Sequence, residues 1–153
     1  MLNNGLFPIH PITVHLPIGL LIGNLLLSIL VLRSRDHSSA QELDISAYHC
    51  VRLGTLLLLP AIGAGILDAA RYWFSPARQD HVLVWLNMHA FLGILLLLLY
   101  WQAWQMRRRN PAILLHAETR QGYLIRLGMG CILLLISGWI GGHMVYAFGV
   151  GVR

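Results

Sequence analysis

The sequence has no lysine, and only six acidic residues and two cysteines among its 153 positions. Charged residues make up 11% of it, whereas a water-soluble domain carries about 25%. So little charge cannot coat a surface that faces water. The shortage of carboxylates, most of them in loops, leaves little for paired acid–base hydrolysis. Cys50 and Cys131 are too few for a disulfide framework. The spacing puts Cys50 at a helix end and Cys131 inside another helix, so both are expected as free thiols. There is no Walker loop, GxSxG, HExxH or CxxC, and the enzyme classes those motifs carry are excluded. Met1 to Pro11 has neither Lys nor Arg, and the apolar run behind it is too long for a signal-peptide core. No tandem repeat or low-complexity tract is present.

What fills the chain instead is apolar: 57% of residues are hydrophobic and mean hydropathy is +0.65. Four runs are each long enough to cross a hydrocarbon core of about 30 Å, which takes about 20 helical residues. They lie at approximately 11–32, 47–67, 81–104 and 123–145. The reading is a single all-α membrane domain over 1–153, an antiparallel four-helix transmembrane bundle. Pro11 suits a first helical turn, while Pro17 and Pro60 are expected to bend their spans. Gly19 with Gly23, and Gly138 with Gly142, form small-xxx-small faces for close helix approach. His37 to about Asp44 is expected as a polar loop, and Asn110-Pro111 as the start of a short interfacial helix with Gly122 as a break. Tyr146 to Arg153 is expected to be irregular.

The net charge is +5, all of its cations arginine. These arginines flank apolar runs and form no basic face for nucleic acid. Arg33, Arg35 and Arg52 lie between or just inside spans one and two. Arg107, Arg108, Arg109, Arg120 and Arg126 do the same for spans three and four. The other side has only Arg71, Arg78 and Arg153. The positive-inside rule makes the first group cytoplasmic and puts both termini outside.

That topology gathers the polar residues. His10 and His15 open the first helix from outside, Asp68 closes the second, His81 and His89 lie in the outer part of the third, and His143 lies at the outer end of the fourth. At a rise of about 1.5 Å per residue, His15 sits roughly 6 Å in from Pro11 and His89 roughly 12 Å in from His81. Imidazoles at membrane depth are costly and call for a role. Neutral imidazole binds haem iron, copper or zinc, and a four-helix bundle can offer a slot for bis-histidine haem. His15 and His89, the deepest pair, are the expected ligands. His10 and His143 are expected either to hold those ligands from behind or to serve as alternative ligands. Asp68 is expected to orient an imidazole through its second nitrogen, and Arg71 and Arg78 to meet haem propionates. Blander roles stand beside these. His10 suits the headgroup level, His81 a solvated loop and His143 a bond between helices. Asp68 suits pairing with Arg71, and His15 and His89 suit hydrogen bonding between helices.

The two ends of the chain carry a resemblance. His10-Pro11 followed by His15-Leu16-Pro17-Ile18, and Gly141-Gly142-His143-Met144-Val145-Tyr146 followed by Gly149-Val150-Gly151-Val152, resemble the bacterial membrane proteins of domain-of-unknown-function family 2231. That pattern has His-Pro and His-apolar-Pro in the first helix, an acidic residue closing the second and a histidine in the third. It ends on Gly-Gly-x-Leu-Val-Tyr-x-His-Gly. His10, His15, Asp68 and His89 match in place and order. Phe148 stands where the pattern has its last histidine; if that histidine is a ligand, this chain lacks it and His143 is the candidate local substitute. Members resemble, and are sometimes fused to, electron-transfer modules such as Rieske or cytochrome c domains, which implies redox chemistry at the outer face.

The resulting expectation is an electron-transfer subunit of the bacterial inner membrane, a carrier rather than a stand-alone enzyme. It would hold one haem b in the outer half of the bundle and exchange electrons with a periplasmic partner or quinone. A non-redox structural subunit of a larger membrane complex, and a metal-handling protein binding a transition metal, are the alternatives.

Overall fold

The structure is a computed structural model and describes residues 9–75 and 80–151. Four helices account for nearly all of them: α1 (His10–Arg33), α2 (His37–Trp73), α3 (Asp80–Arg109) and α4 (Ala117–Phe148). All four are long and apolar enough to cross a membrane. Leu16, Leu67, Ile132 and Leu135 point outward while Leu21, Leu96 and Leu127 fill the centre. A bundle apolar on both its surface and its inside is built for lipid.

The helices form a ring. α1 packs against α2 and α4, and α3 packs against the same two. α1 and α3 are therefore diagonal neighbours. The tightest seam, α1 on α2, depends on Gly54: a Cβ there would lie 2.7 Å from Leu21 Cγ and Cδ2. On the α3–α4 seam, Tyr100 of α3 is fully buried and the hydroxyl end of its ring packs on Gly130 of α4.

The helices run further than the apolar spans. α2 starts at His37, so the expected polar loop is its first two turns. Asp36 caps it by accepting from the Ser39 amide at 2.9 Å and from the Ser38 and Ser39 hydroxyls at 2.7 and 2.6 Å. The Ser39 hydroxyl, then that of Ser38, hold the Asp36 carboxyl well below the usual carboxylate range. A depressed carboxyl stabilises the fold above its unfolded pKa and loses that effect only in strong acid. No helix forms at Asn110-Pro111. The segment is a chain of turns that buries Ile113 and Leu114 in the core. α4 passes through Gly122 without a break and ends at Phe148. Gly149 takes a left-handed φ of 66°, its amide returns to Val145 O and that of Val150 to Met144 O. This glycine-dependent turn satisfies the last carbonyls of α4. α1 and α2 continue through Pro17 and Pro60. Gly19, Gly138 and Gly142 face open space and not a neighbouring helix of the chain.

Polar side chains are concentrated at two levels. One lies at the start of α1, the end of α2 and the adjoining parts of α3 and α4. The other lies at the opposite, arginine-bearing end. There Arg107 is 3% exposed and ion-paired with Asp44, unlike its exposed neighbours Arg108 and Arg109.

Gly130→Ala is expected to destabilise the bundle by about 1–3 kcal/mol, because its Cβ would lie 2.5 Å from Tyr100 Cζ and the ring has nowhere to go. Thermal unfolding of the purified variant, with Gly138→Ala as a neutral comparison, measures this.

Candidate functional site

Two imidazoles meet across the bundle diagonal. His10 Nε2 of α1 and His89 Nε2 of α3 lie 3.4 Å apart, with ring centroids at 5.7 Å and planes at 85°. Each ring is held from behind by its other nitrogen. His10 Nδ1 lies 2.8 Å from Ala61 O of α2, and His89 Nδ1 lies 3.2 Å from Ser137 Oγ of α4. All four helices thus contribute one group to a single line of contacts.

The sequence explains why the rings fit. Gly65 presses on His10, where a Cβ would lie 3.0 Å from Nδ1. Gly141 backs His89, where a Cβ would lie 3.4 Å from Cε1. Glycine on the two flanking helices leaves room for two rings on the diagonal pair.

The direction of the hydrogen bonds follows from one group. A backbone carbonyl only accepts, so His10 donates from Nδ1 to Ala61 O, and its neutral Nε2 is left as an acceptor. His89 then donates from Nε2 to His10, and its Nδ1 accepts from the Ser137 hydroxyl. The run Ser137, His89, His10, Ala61 is satisfied throughout, with one proton between the two Nε2 atoms.

Asp68 anchors the site in a different way from the expectation. Its Oδ2 accepts the backbone amide of His10 at 3.0 Å and does not touch the imidazole. α1 has no acidic residue in its first turn and no side-chain cap of its own. Asp68 supplies that cap from another helix, 58 residues away, and a carboxylate there also suits the positive end of the helix dipole. Arg71 lies 3.9 Å from Asp68 on the same rim, with half its side chain exposed.

The expected pairing of His15 with His89 is corrected by this geometry. His15 is exposed on α1 and the ring facing His89 is that of His10. His10, at the mouth of its helix, meets an imidazole in the third turn of α3 because the start of α1 is held against α2 by Asp68 and Ala61, and its ring reaches across the bundle diagonal. Helical depth alone could not reveal that. His143 is apart from the pair. It stacks on Trp139 at 5.4 Å and 13°, with Trp85 at 4.8 Å and Phe148 at 5.2 Å. Phe148 is part of this aromatic cluster, and His81 abuts it at 5.4 Å. Arg78 lies outside the described residues. Ala61, Gly65, Ser137 and Gly141 belong to the site and were not singled out for it by sequence. Ala61 and Gly65 have no polar side chain to mark them, Gly141 stands in the closing motif without a role of its own, and Ser137 carries no signal beyond a hydroxyl in an apolar run. Among the described residues, no three of His, Cys, Asp and Glu converge as a metal-binding group. Both cysteines are free.

The model of the DUF2231 family, described as a predicted membrane protein, matches residues 6–153. No curated protein and no solved structure matches the chain.

Asp68→Ala is expected to cost about 1–3 kcal/mol, the range for losing a partly buried hydrogen bond to a charged group, and to fray the start of α1. Amide hydrogen exchange over residues 10–14 should accelerate, while exchange in the middle of α1 should not.

Proposed function

The chain belongs to the DUF2231 family of predicted membrane proteins, and we propose that it is a membrane electron-transfer subunit with a haem b between His10 and His89. The observation that carries this reading is the pair itself: two Nε2 atoms 3.4 Å apart, each ring tied by Nδ1. An imidazole held at its second nitrogen by a carbonyl or hydroxyl has the outer contacts of a metal ligand. Two metal–imidazole bonds of about 2.0 Å each span about 4 Å, about 0.6 Å beyond the present separation of the two nitrogens, and seating a haem ring there would also require the flanking helices to draw back. A structural zinc takes four protein ligands and a catalytic one takes three, whereas a bis-histidine haem takes two. Two is the number of imidazoles that meet here.

Haem would supply reversible one-electron chemistry at this position. The chain's own residues do the rest. Ala61 O fixes the His10 tautomer so that Nε2 presents its lone pair. The Ser137 hydroxyl can turn from donor to acceptor, which frees His89 Nε2 of its proton. Asp68 keeps the helix start, and with it the His10 ring, in register. Arg71, at the rim, is placed to meet carboxylates. With the hydroxyl so turned, the shared proton would sit on His89 Nδ1 and be donated to the Ser137 hydroxyl, leaving both rings neutral with their Nε2 lone pairs free.

The arginine distribution supports a cytoplasmic assignment for the ends near Arg33 and Arg107–Arg109. The histidine pair then lies near the outer face of a bacterial inner membrane, with both termini outside. A periplasmic cytochrome or Rieske-type protein is a partner that could reach it from outside, and quinone one that could reach it from the lipid. A second reading has its own support. The hydrogen-bond run is closed without a ligand, which is what a purely structural crosslink between helices requires.

A reduced-minus-oxidised absorption spectrum of the purified protein separates the two. The redox reading expects a haem signal that is lost in His10→Ala and in His89→Ala and kept in His15→Ala. Ser137→Ala should weaken haem affinity about 10-fold. A colourless, folded protein in cells making ample haem would overturn the redox reading and leave the structural one.

A further inference from the structure

The second polar level, at the arginine-bearing end, contains more polar atoms than it pairs. Asn24 and Ser28 are one turn apart on α1, and both are fully buried. Asn24 Nδ2 donates to Ala47 O of α2 at 2.8 Å and to the Tyr123 hydroxyl of α4 at 3.3 Å. Arg107 of α3 uses NH2 for Asp44, both carboxylate and backbone carbonyl. Tyr123 lies within electrostatic reach of both Arg107 and Asp44, and the Ser28 hydroxyl lies beside it without a well-formed hydrogen bond. Asn24 Oδ1, Ser28 Oγ and Arg107 NH1 are buried and unpartnered. They come from helices α1 and α3, and Tyr123 of α4 lies among them.

We infer that this cluster is an internal hydration site, holding water between α1, α3 and α4. Leaving such groups dry inside a membrane bundle is costly, because no lipid atom can take the place of the lost partner. The chemistry of the guest follows from the groups that face it. Arg107 NH1 is a donor, Asn24 Oδ1 is an acceptor, and the Ser28 hydroxyl is both. Arg107 is already neutralised by Asp44, so an anion has no net charge to recognise. A neutral molecule that donates and accepts in several directions is required, and water meets that at the smallest size. Asp44, with its side chain 30% exposed, joins the cluster to the arginine-bearing surface and gives water a route in. The inference is independent of what the histidine pair binds.

Hydroxyl-radical footprinting of the full chain in nanodiscs tests it, because radicals generated from bound water label the side chains beside it. Tyr100 is the internal control. It is as buried as Tyr123, but its hydroxyl faces Cys131 Sγ at 3.6 Å in an apolar setting. Tyr123 should label severalfold faster than Tyr100, and equal rates would overturn the inference. A second measurement uses Ser28→Ala. If water satisfies the hydroxyl, its removal leaves the melting temperature unchanged or lowers it. If the cluster is dry, deleting an unpaired buried hydroxyl raises the melting temperature, and that rise would also count against hydration.

Discussion

Inside a bilayer there is no water to solvate a stray polar atom, and this constraint organises the whole molecule. Every imidazole, hydroxyl and carboxylate in the helices must face lipid at a cost, reach an interface, or meet another polar group inside the bundle. This chain uses the third course at two levels. Near the start of α1, His10 and His89 meet between Ala61 and Ser137. Near the arginine-bearing end, Asn24, Tyr123, Arg107 and Asp44 are joined. The greasy middle holds Tyr100, Leu96, Leu58 and Leu21, where apolar packing dominates.

Each polar level does mechanical work that apolar contacts cannot. Leucines packed on leucines in lipid have no hydrophobic reason to prefer one register. A carboxylate 58 residues from the amide it caps does specify one: α1 must start beside Asp68. The Arg107–Asp44 pair fixes α3 against α2 at the other end. Between them, glycines decide how closely helices approach. Gly54 admits Leu21, Gly130 admits Tyr100, and Gly65 and Gly141 admit the two imidazoles. The open Gly138 and Gly142 show that spacing alone does not say what a small-residue face meets.

The histidine pair joins diagonal helices, which touch nowhere else through their backbones among the described residues. A group that parts those rings would push α1 and α3 apart, and the flanking α2 and α4 would feel it through Ala61 and Ser137. The aromatic cluster of Trp85, Trp139, His143 and Phe148 lies at the same end, and gives that rim a broad, stiff surface.

The four helices, their antiparallel order and the placing of His10, His89 and His143 towards one end were legible in the sequence. Hydropathy and arginine placement depend on chain order alone, and the lipid core leaves helix as the only backbone solution for such runs. The ends of the helices were less legible. The polar turns beyond each apolar run, such as those Asp36 begins, are set by caps and not by hydropathy. Which imidazole meets His89 was decided only in three dimensions. His10 and His15 are five residues apart, more than a full turn, so they project from different faces of α1. Docking by Asp68, Ala61 and Gly65 turned the first inward and left the second outside. Arg107 was another such case. Three consecutive arginines look alike on paper, yet the helical phase of α3 sends one of them into the core to meet Asp44, a partner 63 residues away.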